Sequence, residues 1–186
     1  MVPILSLLVP ILVSAVLVFL VSAIVHMVLP IHKNDWKRVG KEDELLDAVR
    51  KAGLTPGDYM APCAGGYKES KDPAFQEKYK RGPIVLMTIM NGGEGMGKSL
   101  LLWFLYTVVV GVFAAYLTGR AFGPGTDYLT IFRYTGTTAF MGYSLALLHD
   151  SIWYHRSWAT TFRHLVDGML YGLLTAGVFG SMWPDR

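Results

Sequence analysis

The chain has 186 residues, 52% of them apolar and only 17% charged, with five histidines, one cysteine and a formal net charge of +3. That balance is too apolar for an ordinary water-soluble domain and points to membrane residence. The small positive charge calls for no nucleic acid, and a lone Cys63 leaves neither an intramolecular disulfide nor a paired cysteine metal motif to propose.

Four stretches approach the ~20 apolar residues that span a ~30 Å hydrocarbon core. The reading is an all-α integral membrane protein with four transmembrane helices and a small cytoplasmic α+β cap between helices 1 and 2. Helix 1 falls in residues 1–31, the cap in 32–98, helix 2 in 99–121, helix 3 in 128–150 and helix 4 in 159–183. The first stretch has no basic n-region and its apolar run, Val2 to Leu29, exceeds a signal-peptide core of about 7–15 residues, so it reads as a retained anchor. Pro3 and Pro10 sit in its first turns, where a missing N–H costs least.

Within the cap, KEDELLDAVRKAG has acidic residues in its first turn, Arg50 and Lys51 at its end and Gly53 as a stop, which predicts a short amphipathic helix. DPAFQEKYKRG repeats the pattern, with Asp72 as N-cap and Pro73 at the first helical position. Asp58 to Cys63 and Pro83 to Met90 read as short extended segments able to pair. So few elements bury little by themselves.

Twelve of the seventeen lysines and arginines lie between Lys33 and Lys98, and Arg156 and Arg163 flank the third connection. Arg120, Arg133 and Arg186 are left for the opposite side. The cap is therefore expected in the cytoplasm, with both termini outside.

Gly92 to Ser99 match G-x-x-x-x-G-K-[ST], the phosphate-cradling loop of nucleotide hydrolases. The following helix is a membrane span, no later apolar strand ends in an acid for magnesium, and Glu94 would set negative charge against phosphate. The motif reads as a decoy: glycines for an interfacial turn, Lys98 snorkelling and Ser99 capping the span, with no nucleotide partner.

All five histidines fall at the expected inner end of the bundle, and HMVLPIHKNDW and HDSIWYHRSW share H-x5-H followed by a basic residue and Trp. His26 and His149 facing each other could ligate a haem axially, or His164 and Asp150 could contribute to a divalent-metal site. The alternative is that interfacial histidines bond to headgroups or loop carbonyls. Asp167, two turns inside helix 4, needs a partner in the bundle. Arg163, one turn earlier, is the first candidate for a structural pair and His164 the next. Thr135 to Thr138, Gly142, Ser144, Gly168, Gly172, Ala176 and Gly180 supply small or hydroxyl side chains for close helix packing.

The stretch IWYHRSWATTFRHLVDGMLYGLLTAGVFGSMWP resembles the last hairpin of short four-span bacterial inner-membrane proteins of unknown function. The resemblance implies a four-helix layout and a location in the bacterial cytoplasmic membrane, and it assigns no catalytic residue. The sequence has no nucleophile paired with a base and no paired carboxylates. The leading expectation is a non-enzymatic accessory, assembly or stabilising subunit, packed by its small-residue faces against the bilayer, other membrane subunits or itself. The alternative is a haem- or metal-binding redox protein.

Overall fold

The computed structural model describes residues 1–93 and 95–185; Glu94 and Arg186, to which the sequence assigns the decoy loop's negative charge and an outer-face arginine, lie outside the described residues. In chain order the elements are α1 (Leu8–Met27), α2 (Glu42–Lys51), β1 (Gly57–Ala61), α3 (Tyr67–Ser70), α4 (Pro73–Arg81), β2 (Val85–Ile89), α5 (Gly97–Ala121), α6 (Tyr128–Ser144), α7 (Leu148–Trp153) and α8 (Trp158–Ser181). They form two compact units, one of Met1–Lys37 with Met96–Arg186 and one of Arg38–Gly95.

The first unit is a helical bundle of α1, α5, α6 and α8. Two helical segments, Ile4–Met27 and Gly97–Ala121, are long and apolar enough to cross a membrane. Their most apolar stretches are only 33% and 28% buried, unlike the core helix of a water-soluble protein. The apolar side chains turned outward include Leu12, Val16, Leu20, Leu102, Val109 and Phe113, an arrangement suited to lipid rather than water. On α8, Phe162, Val166, Met169 and Leu173 are exposed in the same way.

Small residues bring α6 and α8 together. A Cβ added at Gly172 would lie 3.1 Å from the Gly136 carbonyl oxygen, and one at Gly136 would lie 2.9 Å from Ala176 Cβ. At Gly168 the added atom would fall 1.7 Å from Ser144 Oγ. A Cβ at Gly142 would press on Val110 of α5, and one at Gly180 on the Tyr128 ring. The small faces that the sequence offers for docking are thus engaged within the chain. Hydrogen bonds bind the remaining helices: Trp103 Nε1 donates to Ser22 Oγ at 2.8 Å, and Trp183 Nε1 to the Gly123 carbonyl at 3.0 Å.

Three boundaries differ from the sequence reading. The first span opens with a 3-10 turn, Ile4–Leu7, and is followed after α1 by another, Pro30–His32. The third predicted span is not one helix. It stops at Ser144, passes through a 3-10 turn, Leu145–Leu147, and resumes as the short α7. The Tyr106 hydroxyl donates to the Gly142 carbonyl, an acceptor that an unbroken helix would use in its own ladder. Ser99 does not cap α5, which starts at Gly97 with Met96 as its N-cap residue and no side-chain cap bond.

In the second unit, β1 and β2 pair antiparallel, with Asp58 opposite Thr88 and Tyr59 opposite Met87. The Thr88 hydroxyl donates to Asp58 Oδ1 at 2.6 Å. Asp72 caps α4, accepting from the Ala74 N–H at 2.9 Å. Neither α2 nor α4 holds a buried residue. β2 belongs to a two-stranded antiparallel ladder, not to the parallel sheet that presents a phosphate loop, and added Cβ atoms at Gly92, Gly95 and Gly97 would meet nothing within 4 Å.

Candidate metal centre

The end of α1 builds the site. After the Val28 and Leu29 N–H groups close onto the Ile24 carbonyl, Leu29 is extended, as a residue before proline prefers to be. Pro30 then opens the 3-10 turn that carries His32 back over the helix end. The His32 ring comes to rest on His26, centroids 4.2 Å apart, and on His164 of α8, 5.0 Å apart and stacked. The Asp35 N–H donates to the His32 carbonyl at 3.0 Å, which fixes Asp35 below the same ring.

Three histidines and two aspartates therefore converge. His32 Nδ1 lies 2.7 Å from Asp35 Oδ2, and the other carboxylate oxygen of Asp35 accepts from Arg163 Nη1. His32 Nε2 faces Asp167 Oδ2 at 3.0 Å. His164 Nδ1 is 3.5 Å and His26 Nε2 3.9 Å from that same oxygen, and the Tyr171 hydroxyl is 3.4 Å from His26 Nε2. The side chains of Asp35 and Asp167 are each 7% exposed and that of His32 10%, whereas His26 and His164 are partly open at 39% and 38%. Burial pushes the Asp35 carboxyl up. The hydrogen bond with His32 and the positive charge of Arg163 outweigh it and hold the group below the ordinary carboxylate range.

The two ring nitrogens of His32 each face a carboxylate: Nδ1 stands 2.7 Å from Asp35 Oδ2 and Nε2 3.0 Å from Asp167 Oδ2. His32 Nε2 and Asp167 Oδ2 are buried, and despite their 3.0 Å separation neither makes a hydrogen bond of acceptable geometry. Two buried polar atoms without hydrogen-bond partners can be served by a proton on the imidazole or by a cation held beside them. The Asp35–His32 bond is also the usual support of a metal-ligating imidazole, whose second nitrogen donates to a carboxylate.

His26, His32 and Asp167 offer ligand atoms all within 4.8 Å of one another, and so do His32, Asp35 and His164. Tetrahedral ligands at bonds of ~2.1 Å lie roughly 3.4 Å apart, so the observed 3.0 to 3.9 Å separations around Asp167 Oδ2 match an ion-sized gap. This His/Asp cluster can hold a metal ion.

The structure redistributes the residues expected from sequence. His26 and His164 join the cluster. His149 does not: the break after Ser144 places it on α7, exposed, with its ring 5.7 Å from Tyr154 and 6.5 Å from Trp153. The expected haem pair of His26 and His149 is not assembled, and the clustered imidazoles stack on one another rather than oppose each other across a macrocycle. Asp150 pairs at 3.8 Å with Arg156 instead of joining His164 in a ligand set. Arg163 does not serve Asp167; its guanidinium bonds Asp35, and the histidines surround Asp167. Asp35 escapes a sequence reading because it lies beyond the helix end. Its signal was the His-x-x-Asp spacing directly after Pro30, which puts both side chains on one side of a tight turn.

One side of the cluster is closed by His32 and Asp35. The other, formed by His26, His164 and Asp167, opens onto a partly enclosed cavity of about 600 Å³ walled by Phe19, Trp103, Tyr106, Tyr143 and Tyr171. No protein-family model matches the chain, nor does any curated protein or solved structure.

Proposed function

We propose that this chain is a four-span membrane protein that binds a divalent first-row transition metal among His26, His32, His164 and Asp167, with Asp35 and Arg163 as the supporting layer. The observation that carries the reading is the buried, mutually unsatisfied pair of His32 Nε2 and Asp167 Oδ2. Imidazole and carboxylate donors suit zinc, iron(II), manganese or cobalt, and three histidines with one carboxylate fill a tetrahedral shell while leaving positions at a five- or six-coordinate ion. The first and second apolar helices supply two spans. The outward apolar side chains of α8, and a third crossing made by α6 with its 3-10 extension and α7, support the other two.

In this reading the Arg38–Gly95 segment lies on the cytoplasmic side, as the lysines and arginines beside the helix ends favour, and the membrane is the bacterial inner membrane implied by the C-terminal resemblance. An accessory subunit would need free small-residue faces. Gly136, Gly142, Gly168 and Gly172 are engaged inside the bundle, which favours the metal reading over that one.

The test is metal analysis of the chain purified in mild detergent, stripped, then reloaded separately with Zn²⁺, Mn²⁺ and anaerobic Fe²⁺. One ion per chain is expected, lost in His32→Ala and Asp167→Ala and retained in His149→Ala. Substoichiometric metal in the wild type after every loading, or equal loading of all three variants, refutes the assignment.

A further inference from the structure

The Arg38–Gly95 unit has no interior of its own. Among its described residues Pro62 alone is buried, and Leu45, Leu46, Met60, Ile84, Leu86 and Met90 stand exposed. Its sheet has two strands among the described residues, and a lone two-stranded hairpin is at best marginally stable in water.

The two outer edges of this sheet are unlike. β1 carries Asp58, and Pro56 and Pro62 bracket it, features by which edge strands are kept from pairing. β2 has none of them. From Ile84 to Met90 the sequence IVLMTIM holds no charge, no proline and no glycine, and Ile84, Val85, Leu86 and Met90 are exposed. In its pairing with β1, Val85, Met87 and Ile89 share a face with Tyr59, and Leu86 shares the other face with Met60.

We propose that β2 pairs antiparallel with β2 of a second copy of this chain, about a two-fold axis at Met87, to give a four-stranded sheet. Full overlap of the five-residue strand fixes the register. Val85 lies opposite the second copy's Ile89, Leu86 opposite its Thr88, and Met87 opposite its Met87. In that register the strand is its own complement: its β-branched ends meet, and the Tyr59, Val85, Met87 and Ile89 faces of the two copies become continuous.

Charge favours a second copy over a strongly charged partner. The unit carries nine lysines and arginines and nine acidic residues, so two copies meet without net repulsion and an anionic lipid surface gains no net attraction. The inference rests on the membrane reading and not on the metal. Both ends of the unit run into the bundle, at Lys37 and Met96, so every copy presents β2 on the same side of one bilayer. A strand edge is small beside the ~1,200 Å² of a stable interface, and confinement to the membrane supplies the effective concentration that such an edge needs.

The test is disulfide trapping in native membranes from cells that co-express two differently tagged full-length copies, both with Cys63→Ser. One carries Val85→Cys and the other Ile89→Cys. In the proposed register these positions oppose each other with Cβ atoms ~4.5–5.5 Å apart, whereas two copies of either variant hold theirs about 13 Å apart, beyond disulfide reach. With copper phenanthroline as oxidant, the mixed pair should give a two-tag dimer at least about tenfold faster than either variant dimerises with itself. Met87→Lys in both copies sets like charges face to face and should abolish the product. Met87→Lys in one copy with Met87→Glu in the other should restore it, which also shows that the lysine variant folds.

Equal rates in all pairings mean random collision, no product means an unpaired edge, and faster trapping of the single variants means a parallel approach; each overturns the inference. So does a product that survives Met87→Lys in both copies, or a β2 cysteine trapped chiefly on another protein. Release of the chain by carbonate washing, measured before any oxidation, refutes the membrane reading instead.

Discussion

Replacing Gly172 with alanine tests the seam that holds the candidate site together. The new Cβ would stand 3.1 Å from the Gly136 carbonyl oxygen and 3.2 Å from both the nitrogen and Cβ of Phe140, where ordinary contact begins near 3.4 Å. Two of these three atoms are backbone, so relief requires α6 and α8 to separate by a few tenths of an ångström. Overpacking of this kind costs roughly 1–3 kcal/mol. Against it stands the helix preference for alanine over glycine, about 1 kcal/mol in water and less where the unfolded reference stays helical in the bilayer.

The net expectation is a loss of about 1–2 kcal/mol, or roughly 5- to 30-fold in the folding equilibrium. Gly177→Ala on the same helix is the control, because its Cβ would meet only the Tyr128 hydroxyl at 4.0 Å. Unfolding by sodium dodecyl sulfate in mixed micelles, followed by circular dichroism and tryptophan fluorescence, compares the two. Gly172→Ala should unfold at lower detergent fraction and Gly177→Ala at or above the wild-type value. Equal midpoints for both, or a stabilised Gly172→Ala, would refute the close α6–α8 seam.

Asp35→Asn keeps the shape of the residue that orients His32 but removes the charge that pairs with Arg163. Metal affinity measured by competition with a chelator should fall by about 10- to 100-fold, and an unchanged affinity would remove Asp35 from the supporting layer. Cys63 is exposed, and under the proposed topology a membrane-impermeant maleimide should label it in inverted inner-membrane vesicles and not in intact spheroplasts; the reverse pattern would overturn that topology. Asp127 caps α6, and the hydrogen bonds from Thr130 hold its pKa down. With the folded pKa below the unfolded one, its stabilisation is present at neutral pH and lost as pH falls through the depressed value, under about pH 4. Asp127→Ala should flatten that acid limb in thermal unfolding curves and leave the neutral-to-alkaline curve parallel to wild type.

The sequence made the helices legible wherever one physical signal dominated. Long apolar runs marked α1 and α5, and the Asp72-Pro73 start with Gly82 behind marked α4. The break at Ser144 was not legible, since nothing local to YSLALLHD signals that Tyr106, 36 residues earlier, takes the Gly142 carbonyl. The same limit governed the site. Asp167 announced its need for a partner by sitting inside an apolar helix, but the obvious neighbour in sequence, Arg163, is drawn away by an aspartate 128 positions distant. The duplicated H-x5-H pattern was equally mute about which copy would converge. In the first copy Pro30 turns the chain back so that the rings of His26 and His32 meet; in the second, His155 adopts a left-handed backbone with φ of 52° and His149 points to Trp153 and Tyr154.

The turn at Pro30–His32 and the helix α8 meet although the greater part of the sequence lies between them. During synthesis, His26, His32 and Asp35 leave the ribosome long before His164 and Asp167 exist. A growing chain would therefore carry half of the His/Asp cluster until α8 is made. An ion bridging the two halves would close one of the longest loops the chain can form, and the entropy of that closure grows only slowly with length. Metal uptake at this position would therefore have to wait for the synthesis of α8, and an occupied site would report that α8 has docked against the end of α1.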